Sequence, residues 1–145
     1  MPTPHHAKNL RFGRFSGINR IYHITVTTLG RQAFFQEWSD ALPLINTFKQ
    51  AQKEGEARSL CWVVMPDHIH WLIELQTNDL SRVIGRMKSR STLGLNRHFG
   101  RTGPIWQKGF HDHALRKEEN LKTVARYIIA NPLRAGLVKK VGDYL

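Results

Sequence analysis

The chain has 145 residues, a length that suits one domain around one core, and four Trp and seven Phe give that core bulk. Lys and Arg number 22 against 11 Asp and Glu, and the net charge of +11 points to a polyanionic partner, nucleic acid first; the basic residues are spread out, with no basic amphipathic helix that would suit a membrane surface. One cysteine, Cys61, excludes a disulfide framework or a thiolate zinc site within one chain, and with neither a signal-peptide-like apolar run nor a membrane-spanning stretch the expectation is a cytoplasmic protein in a reducing compartment.

Residues 1–19 contain Pro, Gly and Arg without an apolar period and read as an N-terminal arm ahead of a single domain, 20–145. Arg20 to Thr28 is β-branched and alternating, hence a strand. Phe34/Phe35, Trp38, Ala41/Leu42, Ile45 and Phe48 recur at helical spacing, with Pro43 set to divide or kink that helix. Residues 58–65 and 68–75 form a hairpin, with Asp67 as the turn residue after Pro66. Leu80, Val83, Ile84 and Met87 mark a second helix running to about Arg97. Gly100 to Pro104 is a loop, and Ile105-Trp106 and Gly109 to Leu115 form a short, partly broken strand. Leu121, Val124, Ala125, Ile128 and Ile129 mark a third helix that ends at Asn131, before Pro132.

The order β-α-β-β-α-β-α predicts an α+β fold of ferredoxin-like type. An antiparallel sheet carries two helices on one face, and a C-terminal helix bearing Tyr127 is free to cover part of the other. Side chains alternate along a strand. Ile69, Trp71, Ile73 and Leu75 therefore face the two helices, and His68, His70, Leu72 and Glu74 face the opposite way. His23, in the middle of its strand, reads as a satisfied core histidine, and Cys61 as a small buried residue.

Two imidazoles two residues apart on one strand can grip one metal ion. On the third helix Tyr127 and Asn131 stand four positions apart and share a face. If that face meets the histidines, His68, His70 and Asn131 surround a metal with Tyr127 beside it. A phenol, with a pKa of roughly 10, becomes competent against a phosphodiester when a metal withdraws charge from the non-bridging oxygens. The chemistry would be strand cleavage through a covalent phosphotyrosine, whose retained bond energy lets the freed hydroxyl rejoin strands. Imidazole suits Mn, Zn, Co or Ni, while phosphate and amide oxygens suit Mg or Mn. A second alternating pair, His111 and His113, can donate a ligand, orient a ligand histidine from behind, contact phosphate, or simply line a polar sheet edge.

These residues carry a resemblance. Arg11-Phe-Gly-Arg14, Tyr22-His-Ile-Thr25, Met65-Pro-Asp-His-Ile-His-Trp71, Trp106-Gln-Lys-Gly-Phe-His-Asp-His113 and Tyr127-Ile-Ile-Ala-Asn-Pro-Leu-Arg-Ala-Gly-Leu-Val138 resemble the REP-associated tyrosine transposases of the HUH single-strand nuclease superfamily. The resemblance covers nearly everything from Leu10 onward. It implies Tyr127 as a nucleophile that forms a 5′-phosphotyrosine and leaves a 3′-hydroxyl, His68 and His70 as ligands of Mg²⁺ or Mn²⁺, and single-stranded DNA carrying palindromic hairpins as substrate. Mobile relatives commonly place Gln where Asn131 stands, and work as dimers that exchange the tyrosine helix. A solitary member can be a monomer, so monomer and homodimer both stay open.

DNA would be held by two basic surfaces. Arg82, Arg86, Lys88, Arg90, Arg97 and Arg101, on and just after the second helix, form a phosphate track that positions without reading sequence. Arg11 and Arg14, interleaved with Phe12 and Phe15, suit guanine edges and stacking on unpaired bases. Arg134 is placed to pair with phosphate or to cap carbonyls. The competing readings are a catalytically silent DNA-hairpin-binding protein and an RNA-binding module; the sheet lacks the paired exposed aromatics of the latter.

Overall fold

The structure is a computed structural model that describes residues 18–115 together with Thr123 and Arg126. Four strands form one sheet: β1 (Ile21–Thr27), β2 (Ala57–Met65), β3 (His68–Leu75) and β4 (His111–Leu115). Their order is β2-β3-β1-β4, and every neighbouring pair is antiparallel. Helix α1 (Trp38–Lys53) joins β1 to β2, and α2 (Leu80–Phe99) joins β3 to β4. This is the expected ferredoxin-like sheet with two helices. The tyrosine-bearing third helix, the N-terminal arm and Arg134 lie outside the described residues. Thr123 and Arg126 are both helical and exposed.

The helix-side face is built by alternation. Tyr22, Ile24 and Val26 of β1 and Ile69, Trp71, Ile73 and Leu75 of β3 meet Leu44, Ile45 and Phe48 of α1 and Val83, Ile84 and Met87 of α2 in one buried cluster. Phe48 stacks on Trp71 with ring centroids 4.5 Å apart. The indole N–H of Trp71 donates to Ser59 Oγ at 2.8 Å, so the largest core side chain leaves no orphaned polar atom.

Two helix starts show how capping overrides apolar spacing. Phe34 and Phe35 are buried but precede the helix. α1 begins only at Trp38, where the backbone N–H of Glu37 donates to Asp40 Oδ2 at 3.1 Å. Pro43 does not divide α1, which runs through it; the hydroxyl of Thr47 donates to the Pro43 carbonyl at 3.1 Å. α2 starts where Asp79 accepts from Arg82 N–H at 3.0 Å and stops at Gly100, whose φ of +63° is the left-handed region that glycine enters freely. The loop beyond α2 is tied down by Trp106, whose indole N–H donates to Ser91 Oγ at 2.9 Å. Among the described residues no helix is long and apolar enough to cross a membrane.

Candidate active site on the histidine face

The opposite face of the sheet is read in rows of cross-strand partners. One row is Met65, His68 and Thr27; the next is Val63, His70, Thr25 and His111; the third is Cys61, Leu72, His23 and His113; the last is Arg58, Glu74, Ile21 and Leu115. Directly paired residues share a face, so all five histidines of the described sheet stand on the side away from α1 and α2. Half of this face is apolar: Leu60, Cys61, Val63, Leu72 and Leu115 form a second buried cluster, with Ile21 and Met65 against it. A register shift in β2 between Ser59 and Cys61 puts Leu60 into that cluster beside Cys61. Burial pushes the Cys61 thiol up to about 12, which removes it as a nucleophile. An Arg58–Glu74 ion pair at 2.6 Å closes the far end of the face.

The site proper is His68 and His70. Their ring centroids lie 5.1 Å apart, with the planes at 85°. Each has a hydrogen-bond partner at Nδ1. His68 Nδ1 is 2.8 Å from Asp67 Oδ1, and His70 Nδ1 is 2.9 Å from His23 Nε2 and 3.4 Å from Thr25 Oγ1. Among the described residues neither Nε2 has a hydrogen-bond partner. Burial, then the neighbouring His23 and His68, lowers the His70 pKa to about 4, so its imidazole is neutral near pH 7. Burial, then His113, lowers the pKa of His23 as well. For Asp67, burial pulls the carboxyl upward, but the hydrogen bond to His68 and the charges of Arg31 and His68 outweigh it, and it stays below its ordinary range. Two imidazole nitrogens on one half-buried face suit a divalent ion. Among the described residues no third His, Cys, Asp or Glu joins them. The expected third donor, the amide of Asn131, and the expected nucleophile, Tyr127, lie outside the described residues.

The structure redistributes several roles. His23 is satisfied as expected, its Nε2 2.9 Å from a ring nitrogen of His70, but it is half-buried on the histidine face and not in the core. Asp67 is the turn residue of the two-residue β2–β3 connection, and its carboxylate also sits on His68. Arg31, which no sequence signal singled out, reaches Asp67 Oδ2 through its Nε at 3.1 Å. His111 and His113 lie exposed on the same face, opposite Thr25 and His23. Among the described residues the hydrogen bonds to the His68 and His70 rings come instead from Asp67, His23 and Thr25. The one clue in the sequence to Asp67 is its position just before His68; His23 can be found only once β1 and β3 are in register.

The basic residues of α2 are on the other layer, across the sheet from the histidines. Arg86 pairs with the buried carboxylate of Glu56, and Arg90 pairs with Glu54 at 2.9 Å. Lys88 donates to the carbonyls of Gln107 at 2.9 Å and Gly109 at 2.6 Å, and burial lowers its pKa to about 8. Arg101 bonds Asn96 Oδ1 at 2.6 Å and lies 5.0 Å over the Phe34 ring. Arg82 and Arg97 keep exposed side chains. The track along α2 is thus largely engaged in holding the fold together.

Comparison with known proteins agrees with the fold. A protein of Haemophilus influenzae provisionally named a REP-associated tyrosine transposase is 32% identical over 117 residues, covering 69% of this chain and 65% of its own length. The REP-associated tyrosine transposase of Escherichia coli K12 is 33% identical over 85 residues, covering 57% of this chain and 48% of its own. The chain therefore spans between about half and two thirds of these relatives. A solved structure of a REP-associated tyrosine transposase bound to a REP hairpin superimposes with a TM-score of 0.69 at 24% identity, covering 90% of this chain and 77% of that one. A provisionally assigned transposase from Deinococcus radiodurans R1 follows with a TM-score of 0.58 at 16% identity, covering 79% and 92%. Both share the fold. The family model described as "Transposase IS200 like" matches residues 17–131, most of the sequence, and the chain belongs to that family.

Proposed function

We propose that the chain is a metal-dependent single-stranded DNA endonuclease and strand transferase that acts on hairpin-bearing DNA through Tyr127. The observation that carries this reading is the pair His68 and His70, side by side on one strand face, each with its Nδ1 partnered. Family membership and the net charge of +11 supply its context.

His68 and His70 would hold Mg²⁺ or Mn²⁺, with the Asn131 amide as third donor. The bound ion would draw charge from the phosphate's non-bridging oxygens. The phenol oxygen of Tyr127, losing its proton, attacks phosphorus. The bond from phosphorus to the 3′ oxygen breaks, and that oxygen leaves and takes up a proton as a 3′-hydroxyl. A 5′-phosphotyrosine remains, and attack by a 3′-hydroxyl reverses the step and rejoins strands. For this, Tyr127 must come over the histidine face. The apolar floor of Leu60, Cys61, Val63, Leu72 and Leu115 supports that placement: the expected third helix carries an apolar stripe of Leu121, Val124 and Ile128 with which to cover it. Arg11, Phe12 and Arg14 of the arm would contact the unpaired flank, Arg134 a phosphate, and exposed Arg82 and Arg97 the more distant backbone.

A labelled hairpin oligonucleotide with a single-stranded flank, mixed with protein and Mn²⁺, should give a covalent adduct stable to denaturant. Tyr127→Phe should give none. Absence of adduct with the wild type, or an undiminished adduct with the variant, removes the reading. Sedimentation of the adduct-forming species separates monomer from dimer.

A further inference from the structure

We propose that Asp67 and His23 are positioning residues that hold His68 and His70 in the Nδ1–H tautomer and so aim both Nε2 lone pairs at the divalent ion. The proposal rests on the metal site proposed above. A neutral imidazole carries one N–H and one lone pair, and the bond made by one nitrogen decides which nitrogen is left to bind a metal. An ionised carboxylate only accepts. Asp67 Oδ1, 2.8 Å from His68 Nδ1, therefore requires the proton there and frees Nε2.

Asp67 is itself fixed from several sides. Thr28 binds its carbonyl through the backbone N–H at 3.0 Å, with its hydroxyl at 3.1 Å shared with the Gln32 carbonyl at 2.8 Å. Arg31 Nε donates to Oδ2 at 3.1 Å. Arg31 itself adopts φ +55°, the left-handed region that disfavours a non-glycine residue. The turn after β1 thus accepts local strain and delivers a guanidinium to the carboxylate behind the first histidine.

His70 has a different kind of support. Its Nδ1 faces His23 Nε2 at 2.9 Å, and one of the two must donate. A metal-binding Nε2 on His70 requires that His70 donate, so His23 accepts and carries its own proton on Nδ1. Thr25 Oγ1, at 3.4 Å, is a weaker second partner. One ligand is therefore backed by a charge and the other by a neutral ring, although both end in the same tautomer.

Long-range ¹H–¹⁵N correlation spectra of metal-free protein labelled at histidine read the tautomers directly. Both His68 and His70 should show the Nδ1–H pattern. Asp67→Ala should release His68 towards Nε2–H, and His23→Leu should do the same to His70. His23→Gln, whose amide oxygen can accept, should restore His70. Mn²⁺ titration by calorimetry should show affinity about 10- to 100-fold weaker in Asp67→Ala and His23→Leu, with recovery in His23→Gln. A wild-type His70 in the Nε2–H form overturns the proposal without any variant. If the wild type binds Mn²⁺ and the variants bind it equally well, the positioning role alone falls. If the wild type binds no Mn²⁺, the metal site falls, and this role with it.

Discussion

The two faces of one sheet divide stability and chemistry between them. On the helix side, β1 and β3 present Ile24, Val26, Ile69, Trp71, Ile73 and Leu75, all almost wholly buried under α1 and α2. On the other side the same strands carry His23, Thr25, His68 and His70, half-buried, with His70 bonded to His23 and Thr25 and His68 bonded to Asp67. The first face gains from burial of apolar area. The second removes imidazoles from water, which disfavours their charged forms. A strand can do both because neighbouring side chains never share a side.

The largest effect should come from the helix-side face. Trp71→Ala should lower unfolding free energy in urea by about 3–5 kcal/mol, because it opens a cavity and orphans the Ser59 hydroxyl. A loss under about 1 kcal/mol would mean that this face is not where stability resides. Next is Arg86→Ala, which leaves Glu56 nine-tenths buried without its cation. The expected cost is about 1–3 kcal/mol, reduced from that of a fully buried pair because Arg86 is 40% exposed. Arg90→Ala, which breaks the more exposed pair with Glu54, should cost less than Arg86→Ala.

The histidine face should reveal itself in acid. The folded pKa of His70 is about 4 against an ordinary 6.5. Between those values the unfolded chain binds the proton more readily, so stability present above pH 6.5 is lost as pH falls towards 4. Comparing urea midpoints of metal-free wild type and His70→Gln from pH 7 to 4.5 isolates the group from other carboxylates and histidines. The wild type should lose more, by about 1–2 kcal/mol after allowance for the part of the ring that water reaches. Parallel curves would show that the ring is not desolvated as its surroundings indicate. The smallest effects on stability belong to Arg82→Ala and Arg97→Ala, within about 0.5 kcal/mol. Each should reduce the salt slope of hairpin binding by about one if it meets a phosphate. Unchanged slopes in both would take the outer layer off the DNA path and leave binding to the histidine side.

Much of this was legible in the chain. Alternation alone sorted 68–75 into a core set and a histidine set, and the apolar spacing of Leu80, Val83, Ile84 and Met87 marked α2, with a loop from Gly100. The start of α1 was less legible because Phe34 and Phe35 have helical spacing to Trp38 yet fill the core from a loop; apolar spacing marks burial, and the Glu37–Asp40 cap decides where helix begins. The α2 arginines read as free charge because their partners, Glu54 and Glu56, lie some thirty residues earlier. By itself, then, the sequence determined which residues share a strand face, where elements stop, and which motif blocks the chain carries, since these depend on neighbours a few positions apart. Only the tertiary structure decided that His23 stands behind His70, that Arg31 holds Asp67 behind His68, and that most of the basic track is occupied. Strand register and packing distance join residues far apart in the chain, and no local period encodes them.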